Sequence, residues 1–238
     1  MLFCHPSKKR IFAERIPEII LWVLAAFFAL PFAVFASKPM PPDGLKKEYY
    51  PTGELRAEYS IKNGSLNGPA KEYYKSGEMK SERNFKESVA EGVYKLYYRN
   101  GKVSAEGNYA DDKLDGIVKG YYESGALQGE WPYTTGALNG IAKIYWENET
   151  LLGEDGYKDG VIDGAWRGYF PSGKLKYEWH YKDGKPHGTF RNYNETGVML
   201  QEKIFEEGKL KSEKKFDEKG KSTAQAQITE RELTEKTP

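Results

Sequence analysis

The fold is decided by residues 68–91, GPAKEYYKSGEMKSERNFKESVAE, and residues 92–115, GVYKLYYRNGKVSAEGNYADDKLD, which share one pattern. In both, a glycine is followed by a tyrosine five residues on, a turn glycine nine on, a glutamate fourteen on and an aromatic residue seventeen on. The first glycine recurs every 24 residues without an insertion. A fixed period of this length is typical of repeat proteins, and it divides the body of the chain into seven similar units.

Three columns of the repeat hold the same residue in all seven units. The glycine column is Gly44, Gly68, Gly92, Gly116, Gly140, Gly164 and Gly188. The tyrosine column is Tyr49, Tyr73, Tyr97, Tyr121, Tyr145, Tyr169 and Tyr193. The glutamate column is Glu58, Glu82, Glu106, Glu130, Glu154, Glu178 and Glu202. A catalytic group is needed once, whereas a structural group is needed in every unit, so we interpret these columns as residues that define the repeat.

Each unit is predicted to form a β-hairpin. A strand rich in aromatic residues leads to a Ser-Gly, Asn-Gly or Thr-Gly turn, and a second strand leads to a turn that is often Asp-Gly. A lone hairpin is marginally stable in water, so each unit needs its neighbours. We therefore expect an all-β fold, an elongated antiparallel meander or solenoid of seven 24-residue hairpins, preceded by one N-terminal hydrophobic helix. Fourteen strands spaced about 4.8 Å apart would span on the order of 65 Å.

Two registers fit the hairpin. A two-residue turn pairs Lys95 with Glu106 and builds a Lys–Glu ladder on one face. A three-residue turn with a bulged glycine instead pairs Tyr73 with Met79, which builds a tyrosine–leucine core and turns the charges to opposite faces.

The unit G-x-x-K-x-Y-Y-x-x-G-x-L-x-x-E-x-x-Y-x-x-G-x-L-x-G resembles the MORN-repeat variant of bacterial proteins of the YwqK type. The resemblance covers roughly residues 44–216. It implies an antiparallel hairpin solenoid that serves as a binding or scaffolding surface. Some members of this family are labelled antitoxins of toxin–antitoxin systems, so the resemblance also implies an antitoxin-like protein.

An unbroken apolar stretch, IILWVLAAFFALPFAVFA, covers residues 19–36 after a basic flank. It is just long enough to cross a membrane, whereas Pro31 and the small residues near Ala36 are typical of a cleaved signal peptide. In either case the basic flank favours a cytoplasmic N-terminus and places the repeats outside the cytoplasm. The predicted segments are a signal peptide or membrane anchor (1–36), a proline-rich linker (37–43), the repeat domain (44–216) and a polar, disordered tail (217–238).

Composition excludes some classes of function. The net charge is +1 and residues 1–36 carry part of the basic surplus, so the repeat body is close to neutral and no nucleic-acid partner is expected. The single cysteine, Cys4, allows neither an intrachain disulfide nor a multi-thiolate metal site. His180 and His187 alone are a weak metal signal, and no phosphate loop, nucleophile elbow or zinc-protease motif occurs. We therefore expect no catalytic residue, no cofactor, no metal and no enzyme activity.

The candidate binding residues are four tryptophans. Trp131 and Trp179 stand fifteen residues after their column glycines, with Trp146 and Trp166 close by. They would either fill gaps in the core or, if exposed, form an aromatic strip suited to stacking against a glycan or peptide.

These observations favour a non-catalytic repeat protein acting as a binding or scaffolding surface at the cell envelope. Its partner would be another protein or an envelope glycan, and it would contact the membrane through residues 19–36 if they are not cleaved. The alternative is an antitoxin that neutralises a partner toxin by direct binding, and a hydrolase of envelope polymers comes third.

Overall fold

The computed structural model describes residues 42–227, and all regular secondary structure in this part of the chain is β-strand. The first ten strands are β1 (Gly44–Tyr49), β2 (Leu55–Lys62), β3 (Ser65–Tyr73), β4 (Met79–Lys86), β5 (Val89–Ala90), β6 (Gly92–Tyr97), β7 (Val103–Ala110), β8 (Lys113–Leu114), β9 (Gly116–Tyr121) and β10 (Leu127–Thr134). The remaining nine are β11 (Ala137–Leu138), β12 (Gly140–Tyr145), β13 (Leu151–Lys158), β14 (Val161–Tyr169), β15 (Leu175–Lys182), β16 (Lys185–Tyr193), β17 (Met199–Glu206), β18 (Lys209–Phe216) and β19 (Ser222–Gln227). Within the described range no helix is long and apolar enough to span a membrane. The predicted N-terminal helix falls on residues outside that range.

The strands form one antiparallel sheet in which each strand pairs with its neighbours in sequence. Segments β5 and β6, β8 and β9, and β11 and β12 are each a single strand interrupted at one residue, and both segments of a pair lie against the same preceding strand. Among the described strands, β1 pairs only with β2 and β19 only with β18, so the sheet is open at both ends. The predicted all-β meander of hairpins is confirmed.

The turn inside each hairpin places a glycine in the left-handed region. In the second unit the Gly77 amide donates to the Tyr74 carbonyl at 2.9 Å, and the Tyr74 amide donates to the Glu78 carbonyl at 2.8 Å. Gly77 has φ = 101°, which a residue with a side chain rarely adopts. In the fifth unit Glu149 occupies this place with φ = 66°.

The turns between hairpins have two residues of positive φ in succession, as at Asn63 (52°) and Gly64 (72°). This is the type I′ geometry, whose twist matches that of the flanking strands. Asx-Gly pairs suit it, which explains the repeated Asp-Gly signal in the sequence.

A bulge near each turn reconciles the two registers. Lys71 pairs with Glu82, yet Tyr73 pairs with Met79, because the register shifts by one residue between these two pairs. The Lys–Glu pairing and the Tyr–Met pairing therefore coexist in one hairpin. The prediction that the second register turns the charges to opposite faces is wrong, since the bulge lies beyond the Lys–Glu pair.

The two faces of the sheet differ in burial. The inner face carries the residues two, thirteen, fifteen and seventeen places after each column glycine, and most of the buried apolar side chains are there. Its buried apolar members are Ala57, Tyr59, Ile61, Ala70, Tyr94, Ala105, Val118, Trp131, Ala142, Phe190 and Phe205. The outer face carries the lysine or arginine, tyrosine and glutamate columns, whose members are half-buried or exposed. The tyrosine column is thus not the centre of the core.

The sheet extends past the predicted end of the repeat domain. Strand β19, Ser222–Gln227, pairs with β18 and lies in the stretch expected to be a disordered tail from residue 217. Asp217 and Gly220 form one more turn of the same kind, in which the Gly220 amide donates to the Asp217 carbonyl at 2.9 Å. This strand was not predicted because the stretch is polar. A strand at the edge of a sheet needs few apolar side chains, so its polar composition does not prevent pairing. The rest of the tail lies outside the described residues.

Candidate binding surfaces

The glutamate column holds a ladder of contacts on the outer face. Glu106 accepts a hydrogen bond from the Tyr121 hydroxyl of the next unit at 2.6 Å and lies 3.9 Å from the Lys95 ammonium. Equivalent tyrosine–glutamate bonds are Tyr73 to Glu58 (2.8 Å), Tyr145 to Glu130 (3.4 Å) and Tyr169 to Glu154 (3.2 Å). Burial, and then the bond to Glu106, raise the pKa of Tyr121 to about 12. The carboxylates are therefore engaged in joining one unit to the next.

In the sixth unit an arginine strengthens this ladder. The Arg167 guanidinium donates to Glu178 at 2.7 Å and to Glu154 of the preceding unit at 2.9 Å. The hydrogen bonds to Glu178 and then to Glu154 raise the pKa of Arg167. Because the planar guanidinium offers donors in two directions, it bridges two units where lysine offers a single point charge.

A second set of tyrosines joins the hairpin ends. The Tyr98 hydroxyl donates to the Tyr121 carbonyl of the next unit at 2.6 Å. Tyr50, Tyr74 and Tyr122 donate to Tyr73, Tyr97 and Tyr145 in the same way, at 2.8, 2.8 and 2.7 Å. Units five to seven have Trp146, Phe170 and Asn194 at this place. The tyrosine bond thus joins hairpin ends only in the first half of the sheet.

The outer face also carries a line of exposed apolar side chains, one residue after the column glycine. This outer stripe consists of Leu45, Pro69, Val93, Ile117 and Ile141. The exposed fractions are 60% for Leu45, 51% for Val93, and 56% for Ile117 and Ile141. The stripe is a line rather than a continuous patch, because Ser60, Asn84 and Asn108 are paired opposite Leu45, Pro69 and Val93 on the intervening strands. Exposed apolar side chains repeated at equivalent places are typical of an interaction site.

On the inner face, aromatic rings lie over glycines. A Cβ added at Gly129 would lie 2.6 Å from the Trp131 ring and 2.9 Å from the Lys143 carbonyl oxygen, and one added at Gly168 would lie 2.3 Å from Tyr177. Only glycine leaves room for these rings, so the glycine and its covering aromatic residue form one packing unit. Glycine–aromatic pairs of this kind pack the inner face in units four and six.

The inner aromatic cluster occupies units six and seven. Its members are Trp166, Tyr177, Trp179, Tyr181, Phe190 and Phe205. Trp166 lies centrally, with ring centroids 5.4 Å from Trp179, 5.7 Å from Tyr181 and 6.2 Å from Tyr177. Edge-to-face and offset contacts of this kind stabilise beyond the area they bury.

Asp155 is buried beside this cluster. It is 6% exposed on β13, directly opposite Trp166 of β14, and its Oδ1 atom is buried without a hydrogen-bond partner. Burial, and then the neighbouring charge of Glu154, raise the pKa of Asp155 to about 7. The Asp155 charge in turn helps to raise the pKa of Tyr177 and Tyr181, after their own burial. A carboxyl group without a compensating charge is costly to bury, so this residue is not explained by packing.

The four predicted tryptophans do not share one environment. Trp131 is 4% exposed and covers the glycines of unit four, whereas Trp146 is 38% exposed at a hairpin end. Trp166 and Trp179 lie together in the inner aromatic cluster and are half-buried. The Trp179 indole donates to Asn192 at 2.9 Å. Of the predicted strip, the structure brings Trp166 and Trp179 into contact.

The two histidines of the body line one shallow depression together with Lys158, Asp163 and Asp183. The His180 Nδ1 lies 2.9 Å from the Thr189 carbonyl oxygen. Within residues 42–227 no three His, Cys, Asp or Glu side chains are grouped as a metal site would require.

Sequence reasoning missed the outer stripe and Asp155. The column after each glycine is apolar in the first five units, but its exposure depends on the register, which the sequence left open. Asp155 stands in the same column as Trp131 and Trp179, fifteen residues after the glycine. The same column also holds Arg83 and Lys203, so an acidic residue there did not by itself indicate a buried carboxyl group.

The family model described as MORN repeat variant matches residues 42–63, 66–87, 90–111, 114–134, 138–159 and 162–183, together more than half of the chain. It matches six repeats rather than the seven predicted. The hairpin β16–β17 pairs in the same register but has Asn194 where the other units have an aromatic residue. No curated protein matches the chain.

Proposed function

Because the chain belongs to the MORN repeat variant family, we propose that it is a non-catalytic binding or scaffolding protein outside the cytoplasm that binds a partner protein through the outer stripe. The observation that carries this proposal is the line of five exposed apolar side chains at equivalent places in successive units. Two strands per unit, about 4.8 Å apart, put Leu45 and Ile141 on the order of 40 Å from each other. This length is sufficient for an ordinary protein interface.

The chemistry of the outer stripe favours a protein over a glycan. Its side chains are aliphatic, and the neighbouring columns of lysine and glutamate supply a rim with charges of both signs. An apolar centre with a polar rim is typical of protein interfaces. A glycan would be expected to stack on aromatic rings, and the aromatic cluster lies on the inner face.

We propose a non-catalytic role because the repeated glutamates take part in structural hydrogen bonds between units. Three of them, Glu106, Glu130 and Glu154, each accept a hydrogen bond from the tyrosine of the next unit. Groups engaged identically in several units serve the sheet rather than a single reaction.

The location outside the cytoplasm rests on the apolar stretch at residues 19–36 and its basic flank. A reporter enzyme that is active only outside the cytoplasm, fused after Pro238, should be active. An inactive external reporter and an active cytoplasmic one would refute the location and favour the antitoxin alternative, which the finer resemblance to the YwqK type supports.

The binding surface can be tested with two polar substitutions that keep β-branching. The double variant Ile117→Thr/Ile141→Thr replaces the last two members of the outer stripe, whereas Val161→Thr changes an aliphatic residue of 46% exposure that lies outside it. A photo-crosslinking residue at position 93 of the full chain identifies the bound protein in cells. The proposal expects one cross-linked protein with the native chain and with Val161→Thr, and its loss with the double variant.

If the double variant cross-links the same protein to the same extent, or if the native chain cross-links none, the outer stripe is not the binding surface. Circular dichroism of both variants excludes unfolding as the cause of a loss.

A further inference from the structure

We propose that the inner face of units five and six holds a site for an alkylammonium group, the side chain of a lysine on a protein or peptide, bound between the Asp155 carboxylate and the rings of Trp166, Tyr177 and Tyr181. This site lies on the opposite face from the outer stripe, so it goes beyond the proposed function.

The first support is the buried carboxyl group itself. Asp155 is more than nine-tenths buried, and its Oδ1 has no hydrogen-bond partner. It takes part in none of the ion pairs formed among residues 42–227. The Asp155 carboxylate is thus a hydrogen-bond acceptor that forms no ion pair with the lysines and arginines of the described sheet. A cation from another molecule would supply the missing partner.

The second support is the aromatic environment. Trp166 lies directly opposite Asp155 in the sheet, and Tyr177 and Tyr181 lie within 6.2 and 5.7 Å of the Trp166 ring. Faces of such rings attract ammonium groups, and a carboxylate beside them adds a full opposite charge. Both features favour a cation, and neither depends on the other.

The depth of the carboxyl group selects lysine among cations. A lysine side chain has a long apolar stem that can pass along aromatic rings while its ammonium group reaches a buried acceptor. An amino sugar carries its amine directly on a bulky ring and a guanidinium is a broad plane, so each brings more bulk than a single ammonium group to a carboxyl group that is only 6% exposed.

The site should depend on pH because Asp155 must be ionised to attract the ammonium group. The titratable groups that act on it are Glu154, from the same strand, and the phenols of Tyr157, Tyr177 and Tyr181. None of these becomes positively charged, so they provide no competing cation.

The test is a fluorescence titration of the purified full chain, since Trp166 and Trp179 report directly on the site. The probe is Nα-acetyl-lysine methylamide at constant ionic strength and pH 8. We expect a saturable change that weakens at least tenfold at pH 5 and at least tenfold in Asp155→Asn at pH 8. The matched control, Asp159→Asn, changes a carboxylate in an exposed turn four residues away and should bind normally.

Four outcomes would overturn the inference, and the first three concern the lysine probe. These are no saturable response of the native chain, equal affinity of Asp155→Asn, and an equal response to the probe with its ε-amine acetylated. Glucosamine that binds more tightly than the lysine probe would also overturn it, because the ligand would then be an amino sugar. The acetylated probe keeps the test decisive even if the variant folds poorly, and none of these outcomes depends on the outer stripe.

Discussion

Replacing Asp155 by asparagine should stabilise the sheet, and by more at alkaline than at acid pH. Burial raises the pKa of this carboxyl group from 3.8 to about 7 in the folded protein. A group whose folded pKa lies above its unfolded pKa is easier to ionise in the unfolded chain. Its contribution to stability is therefore greatest below pH 3.8, falls as the pH rises towards 7, and is constant above that.

The size of the effect follows from this difference in pKa. Relative to strongly acid pH, the unfolding free energy falls by about 1.5 kcal/mol at pH 5, where Asp155 is ionised only in the unfolded chain, and by about 4 kcal/mol at pH 8, since each pKa unit corresponds to about 1.4 kcal/mol. Asparagine has nearly the same shape and no charge. Asp155→Asn should thus exceed the native protein in unfolding free energy by about 2.5 kcal/mol more at pH 8 than at pH 5.

Urea unfolding of both proteins at the two pH values measures this difference directly, because the titration of all other groups cancels between them. Asp159→Asn, in an exposed turn, is the matched control and should follow the native protein at both pH values. If the difference between Asp155→Asn and the native protein were the same at pH 5 and pH 8, the carboxyl group would not be buried without a counter-charge, and the reasoning would fail.

Three further predictions concern the packing of the sheet. Gly129→Ala should lower the unfolding free energy by about 1–3 kcal/mol in urea unfolding, because its Cβ would lie 2.6 Å from the Trp131 ring. Glu106→Gln should lower the pKa of the Tyr121 phenol from about 12 towards 10, measured by ultraviolet titration, because the hydrogen bond to the carboxylate helps to raise it. Tyr98→Phe removes the hydroxyl that donates to the Tyr121 carbonyl, and should cost about 0.5–1.5 kcal/mol and increase hydrogen exchange at that hairpin end.

Each of these has an outcome that contradicts it. If Gly129→Ala left both the stability and the tryptophan fluorescence unchanged, the Trp131 ring would not lie over this glycine. Glu195→Gln, in an exposed turn, is the control for the phenol titration and should leave it unchanged. Equal hydrogen exchange in Tyr98→Phe and the native chain would mean that the hydroxyl does not join the two units.

The repeat and its turns could be predicted from the sequence because they depend on local chemistry. Positive φ at places such as Gly77 and Gly64 favours glycine, so most turns can be located from the sequence, although Glu149 and Ser88 adopt positive φ at equivalent places. The interval between turns then fixes the strand lengths. Strand β19 escaped prediction because its polar composition resembles that of a tail, and only its pairing with β18 distinguishes it.

The faces of the sheet could not be predicted because a shift by one residue exchanges them. The bulge between Glu72 and Tyr73 is a three-dimensional feature, and it allowed two pairings that the sequence presented as alternatives to be present together. The exposure of Ile117 and the burial of Asp155 both follow from that register. The columns of equivalent residues could therefore be recognised in the sequence, but the face of the sheet on which each column lies could not be predicted.

Because every strand pairs only with its neighbours in sequence, the number of units sets the length of the sheet. Gain or loss of one whole repeat by recombination would leave every remaining hairpin with equivalent partners. Such an event would lengthen or shorten the molecule by about 10 Å, the width of two strands. The distance between the first and the last unit of the sheet would change by the same amount, while the contacts inside each remaining unit would stay the same.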